Sequence, residues 1–184
     1  LGDCYLMAGC AAVARAKPEV LPKIVIDNGN GTFDVTLYLR EGWYGKPKAV
    51  TRTIDARLPV DGGGTPLYAK VGKSTDEGDE LWTALIEKRV AQETGSYHKI
   101  SGGNIGKSMD FAGVSELLTG QAEKTLQTGS IGDNELLKMM DDALKSKRPL
   151  VADVRAMDDL PDLKARGNKV NVIGNHAYAV RSVD

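Results

Sequence analysis

Apolar residues change their period several times along this chain, and that change most constrains what it can fold into. Between Cys4 and Ala16, Leu6, Cys10, Val13 and Ala14 recur at helical spacing, and the small Ala and Gly residues among them permit close packing. Asp3 is the predicted N-cap, its carboxylate accepting from a free N–H of the first turn, and Pro18 and Pro22 mark the exit. After turn chemistry at Asp27-Asn28-Gly29-Asn30-Gly31, the period drops to two. Phe33, Val35, Leu37 and Leu39 alternate with polar residues, as a half-buried strand requires. A turn over Gly42 to Lys48 leads to a second predicted strand at Val50 to Ile54, and Pro59 with Asp61-Gly62-Gly63-Gly64 breaks the pattern. Helical spacing returns over Asp79 to Thr94, where Leu81, Trp82, Leu85, Ile86 and Val90 share a face and Gly95 terminates the helix. A short helix is predicted over Phe111 to Leu118. A longer one is capped by Asp133, carries Leu136, Leu137, Met140 and Leu144 on one face, and stops at Pro149. Predicted strands at Leu150 to Val154 and Ala177 to Val183 close the chain. This order is that of an α+β protein, not of a regular βαβ series.

Composition narrows the function classes. A chain of 184 residues suits one domain or two small lobes, and its 41% hydrophobic content supplies a core without disulfides. Lys+Arg 24 against Asp+Glu 25 gives a net charge of -1, which argues against a nucleic-acid binder that must displace counterions. With 5% aromatic residues there is no base-stacking platform either. The apolar run from Tyr5 to Ala14 stops at Arg15, short of the roughly 20 residues of a membrane span, and Asp3 has the wrong sign for a secretory leader. Two cysteines and two histidines make neither a disulfide framework nor a zinc set; this usage favours a reducing, cytoplasmic setting without fixing the compartment. Leu1 stands in place of Met and the apolar run begins at once, so the expectation is a piece of a longer polypeptide.

Two residues draw attention as chemistry. Cys4, after Gly2-Asp3, falls in the first turn of a predicted helix, where free N–H groups and the positive end of the macrodipole favour thiolate over thiol. The plainer reading is a small buried residue, the common fate of free cysteine, and this is the reading for mid-helix Cys10. His176, after Gly174-Asn175, begins an apolar strand and is placed to face a cleft, although position alone favours a structural histidine. His98 reads as solvated. A Cys–His dyad requires Cys4 and His176 to meet in space, which spacing does not show. Gly72-Lys73-Ser74 and Gly106-Lys107-Ser108 end like phosphate loops, but Leu67 and Ser101 stand where the required earlier glycine belongs. The segment from Asp27 to Asp34 fails the calcium-loop spacing.

Three separated segments share one resemblance. Leu1-Gly2-Asp3-Cys4-Tyr5-Leu6-Met7-Ala8 resembles the nucleophile segment of calpain-type cysteine proteases, usually LGDCWLLA. Leu81-Trp82-Thr83-Ala84-Leu85-Ile86-Glu87-Lys88, with Gly95-Ser96-Tyr97 and Ser101-Gly102-Gly103, is similar to their FWSALLEKAYAK, GSY and SGG series. His176-Ala177-Tyr178-Ala179-Val180 is similar to their GHAYSV strand. Arg57-Leu58-Pro59 resembles their DRLP, and Leu118-Thr119-Gly120 their FTGG, so the ordered match runs nearly the whole chain.

The resemblance implies a papain-like core of two lobes, residues 1–120 carrying the central nucleophile helix and residues 121–184 forming a β-rich, histidine-bearing lobe cut short at its end. It implies Cys4 as nucleophile, His176 as base and then acid, and Gly102 and Gly103 as the loop that binds an extended substrate backbone. Glycine suits that loop because another backbone can approach it closely. Tyr5 replaces the usual Trp beside the nucleophile, and Asn175 replaces the usual Gly before the histidine; both would border the substrate. The family's oxyanion Gln and imidazole-orienting Asn fall outside the sequence, and Asn175 is not expected to serve, because adjacent strand side chains point to opposite faces. The implied activity is endopeptidase hydrolysis of protein or peptide substrates, feeble or absent in this stretch alone, within a longer multidomain chain. The alternatives are an inert protease-like module whose cleft binds peptides and a transglutaminase-like acyl transfer. No cofactor is needed for the chemistry and no metal ligand is assigned. Calcium enters only as a regulator, with Glu80 where an acidic ligand of calcium-regulated relatives could lie; a first-turn carboxylate favoured by the helix dipole is the preferred reading of Glu80.

Overall fold

The computed structural model describes residues 2–42, 45–69, 72–73, 79–102, 113–154 and 172–183, the backbone alone at 72, 73 and 79. Helix α1, Cys4–Ala16, lies at the centre, as its small-residue pattern requires, with Leu6, Ala8, Cys10, Ala12 and Val13 buried. A 3-10 turn at Pro18–Val20 and the short α2, Leu21–Ile24, lead into an antiparallel sheet of β1 (Val25–Asp27), β2 (Thr32–Leu39) and β3 (Lys48–Asp55), in that order. The β1–β2 turn is closed by Asn28 N donating to Thr32 O (3.0 Å) and Gly29 N to Asp27 Oδ1 (2.8 Å). Alternation along β2 puts Val35 and Leu37 fully inside, with Leu37 paired to Val50 on β3.

A two-residue ribbon, β4 (Gly72–Lys73) with β5 (Asp79–Glu80), precedes α3, Trp82–Thr94. Leu85, Ile86 and Val90 of α3 join Leu6, Cys10 and Val13 of α1 and Val35, Leu37 and Ile54 of the sheet in one core. Complete burial of each such side chain contributes about 1.5–3 kcal/mol. Gly95 ends α3 in the left-handed conformation (φ 95), followed by a 3-10 turn, Tyr97–Ile100. Helix α4, Val114–Thr119, crosses α1 where Gly9 has no side chain; a Cβ there would overlap the Val114 side chain. Glu116 of α4 is fully buried and accepts both Arg40 Nε (2.6 Å) and Arg40 Nη2 (2.5 Å) from the chain leaving β2. This bidentate pair bolts sheet to helix. Helix α5, Asp133–Lys145, and the antiparallel pair β6 (Val151–Val154) and β7 (His176–Ala179) complete the described fold, the pair packing on α1.

Several local expectations shift. Asp3 stands at the N-cap of α1, but its side chain makes no cap bond; its backbone carbonyl accepts Leu6 N (2.8 Å) and its carboxylate turns inward. Helix α3 starts at Trp82, because Asp79 and Glu80 pair as strand with Lys73 and Gly72. Glu80 is therefore not a first-turn carboxylate; it is exposed and precedes the N-cap Leu81. Asp133 is the first residue of α5, with Gly132 at the cap. Leu137 is 44% exposed, away from the face shared by Leu136, Met140 and Leu144. Strand β7 begins at His176 and stops at Ala179, although Val180 N still donates to Leu150 O (2.9 Å). Ser74, Gly103, the 106–108 segment and Phe111 lie outside the described residues.

Candidate active site

Cys4 is the first residue of α1, and His176 is the first residue of β7, paired across the ribbon with Val154. One cavity of about 380 Å³ is lined by Cys4, Met7, Ala8 and Ala11 of α1 and by His176 and Tyr178 of β7. The structure thus brings together two residues 172 positions apart (176 − 4), because β7 lies along the helix face whose small side chains let it come close. Both residues are partly exposed, so a reactant can reach them. Cys10, by contrast, is fully buried, and burial pushes its thiol up to about 12, aided by Asp3 and Glu87. An inert core thiol is the result.

Tyr178, two residues beyond His176 and hence on the same strand face, sets its ring edge-on to the imidazole at 4.9 Å and 75°. Its hydroxyl accepts Ile173 N (2.8 Å), tying the approach to β7 against the ring. Sequence reasoning places Tyr178 in the strand without giving it a part in the site; its period-two relation to His176 is the available signal. Asn175 is exposed at φ 52, a left-handed conformation natural to glycine and tolerated by asparagine. That explains Asn where the family has Gly. It stands in a turn before β7, so the strand-alternation argument used for it does not apply.

Tyr5 points elsewhere than its neighbour. Its hydroxyl donates to Ile100 O (2.7 Å), and burial, with Asp3 next, drives the phenol well above its ordinary range. Gly102 has φ 84 with open space beside Cα, and its N–H donates to Gly2 O (2.7 Å), while Gly2 N donates to Ser101 Oγ (3.1 Å). The first turn of α1 and the 101–102 loop are thereby tied together. With its N–H engaged, Gly102 has only its carbonyl to offer a substrate backbone.

Beneath Cys4 lies a feature with no motif. Asp3 and Glu87 are 7% and 2% exposed, and their carboxyl groups act directly on each other; Glu87 Oε2 also accepts Ala69 N (2.9 Å). Burial first, and the Asp3 carboxyl second, push Glu87 up to about 8. Among the described residues no group of three His, Cys, Asp or Glu side chains is arranged to hold a metal ion, and exposed Glu80 has no such companions. The described residues do not by themselves fit a calcium site. Nor is any described helix long and apolar enough to cross a membrane.

A mixed α+β core in which the first turn of a central helix and a β-strand bring cysteine and histidine to one cleft has the architecture of a papain-like protease core. The family is narrower: the model of the calpain family cysteine proteases matches residues 1–184, and the chain belongs to that family. Human calpain-9 (Homo sapiens) is 28% identical over 186 residues, covering 100% of this chain and 24% of its own length. The calpain-1 catalytic subunit of Mus musculus is 29% identical over 188 residues, 98% of this chain and 23% of its own. The calpain-type cysteine protease DEK1 of Arabidopsis thaliana is 24% identical over 193 residues, 100% of this chain and 8% of its own. The chain thus spans about a quarter of the length of calpain-9.

Proposed function

We propose that this domain hydrolyses peptide bonds through a Cys4–His176 thiolate–imidazolium pair, as the catalytic core of a calpain-like endopeptidase. The observation that carries the proposal is the cleft lined by both side chains. The Cys4 sulfur adds to the scissile carbonyl, a C–S bond forming as the carbonyl electrons move to oxygen. His176 protonates the leaving amine as the C–N bond breaks. Water then adds to the thioester, His176 taking its proton, and C–S cleavage releases the acid and restores the pair. The Cys4 backbone N–H is one donor to the oxyanion. On this reading the second donor, a Gln, and the Asn that orients the imidazole come from chain outside residues 1–184, and these residues alone turn over feebly or not at all.

The substrate is an extended segment of protein or peptide, meeting the 102–103 loop and passing Tyr5 and Asn175. The two-lobe division near Gly120 belongs to the same proposal; Gly120 closes α4 in the left-handed conformation (φ 68) ahead of the exposed stretch 121–130. Calcium is proposed as a regulator only, and assay of the longer chain with calcium against chelator checks it.

The deciding experiment combines labelling and turnover. Iodoacetamide at about pH 6 is expected to modify Cys4 much faster than buried Cys10. In the longer chain, Cys4→Ala is expected to abolish peptide hydrolysis with the fold retained. Equal slow labelling, or turnover surviving the substitution, removes Cys4 as nucleophile. Peptide binding without turnover in the unsubstituted longer chain identifies an inert binding module instead.

A further inference from the structure

The buried carboxyl pair under α1 has an unusual hydrogen-bond account. Asp3 Oδ2 and Glu87 Oε1 are both sealed from solvent, and neither meets a donor hydrogen while both groups are ionised. Two buried carboxylates in contact repel, and neither can supply the hydrogen the other lacks. One added proton removes both defects, since a protonated carboxyl is a donor. We propose that Asp3 and Glu87 share a single proton, Glu87 Oε1–H donating to Asp3 Oδ2, and that this proton fixes the first turn of α1 and with it the Cys4 sulfur. Glu87 is then a positioning residue for the hydrolysis proposed above, and the inference rests on that reading for its functional half.

The connections run outward from the shared proton. On one side, Glu87 Oε2 holds Ala69 N (2.9 Å), docking the chain before β4 onto α3. On the other, the Asp3 carbonyl accepts Leu6 N (2.8 Å) and Met7 N (3.2 Å), the first bonds of α1. The neighbour before Asp3, Gly2, makes the two hydrogen bonds to Ser101 and Gly102. Loss of the proton puts a second negative charge beside Cys4, opposing its thiolate, and drives α1 and α3 apart at the point where nucleophile and substrate loop are joined.

The surrounding titratable groups reinforce retention of the proton. From α1, Tyr5 and Cys10 face the pair, and from the 3-10 turn Tyr97, stacked on Tyr68 at 4.2 Å, senses Glu87. Each of these is neutral or gains negative charge on titrating. On α3, Lys88 is engaged by Asp55 and Arg89 Nη1 by Glu93, while the buried Arg89 Nε and Nη2 meet no hydrogen-bond partner among the described residues.

The sign follows from linkage. Glu87 is raised from 4.5 to about 8 on folding, so the stabilisation is complete below about pH 4.5 and is lost as pH rises to about 8. Glu87→Gln reproduces the protonated state permanently: its amide N–H donates to Asp3 and its carbonyl accepts Ala69 N.

Three measurements on the longer chain decide the matter. Infrared spectroscopy is expected to show a protonated-carboxyl band at about pH 6 that fades by about pH 10 and is missing from Glu87→Gln. The thermal midpoint of the native protein is expected to fall between about pH 5 and 8, a slope that Glu87→Gln loses. The rate of Cys4 alkylation is expected to show an inflection near pH 8 that the variant lacks. A missing band, or the same slope in the variant, overturns the shared proton; no inflection overturns the positioning role. Should Glu87→Gln fail to fold, Asp3→Asn replaces it: its amide donates to ionised Glu87, and the slope is expected to move toward ordinary carboxylate pH, an unmoved slope counting against the proposal. Repeating band and slope in Cys4→Ala, where both are expected unchanged, separates failure of the pair from failure of the hydrolase reading.

Discussion

Environment rather than residue type decides what each reactive side chain can do. Cys4 and Cys10 are the same thiol six positions apart, one at the mouth of a helix beside a histidine, the other sealed and held protonated. That contrast was legible in the sequence, because helical spacing assigns Cys10 to the apolar face and leaves Cys4 in the first turn. The fate of the Asp3 carboxylate was not. An aspartate before a helix reads as a cap, and only the arrival of Glu87 from 84 residues away (87 − 3) shows why it turns inward. The same logic governs the Arg40–Glu116 pair, where the two partners are unequally wet: 19% exposed against 0%. Arg40→Met takes the bidentate guanidinium from a fully buried carboxylate, whereas Glu116→Gln leaves a cation with some access to water. Urea unfolding is expected to show a loss of about 3–5 kcal/mol for Arg40→Met and distinctly less for Glu116→Gln.

At the level of elements, periodicity identified most of the described helices and strands and misjudged their ends. Helix α3 begins three residues later than expected because hydrogen bonds from Gly72 and Lys73, invisible to any local pattern, hold Asp79 and Glu80 as strand. Packing of α1 on α4 rests on one position. At Gly9 an added methyl overlaps Val114, a clash of about 1–3 kcal/mol. The helix propensity gained on replacing glycine, about 0.5–1 kcal/mol, does not offset it. Gly9→Ala is therefore expected to destabilise the domain, and combination with Val114→Ala to recover part of the loss. A double-mutant cycle reads the coupling, and additive effects would mean the helices do not meet there.

Across the whole molecule, the α+β class followed from the order of periods, and the family from motifs spread along 184 residues. Meeting of the two ends was not derivable from periodicity, since nothing local records that β7 returns to α1. On the proposed mechanism, the oxyanion is held by one donor from within these residues and a second from beyond them. Removing one such donor raises the barrier by about 2.7–4 kcal/mol, so the longer chain is expected to exceed residues 1–184 in kcat by about 10²–10³. Single-turnover assays of the two forms test this, and equal rates would place the second donor within the 184 residues.

The ties from Gly2 to Ser101 and Gly102 and from Tyr5 to Ile100 carry a consequence for motion. The start of α1 and the 101–102 loop, which meets substrate on the proposed reading, share one mechanical frame, so thermal breathing of the groove leaves their mutual distance nearly constant. The approach of His176 to Cys4 is set separately, by how β7 packs along the helix face, and on the proposed mechanism that packing governs every turnover.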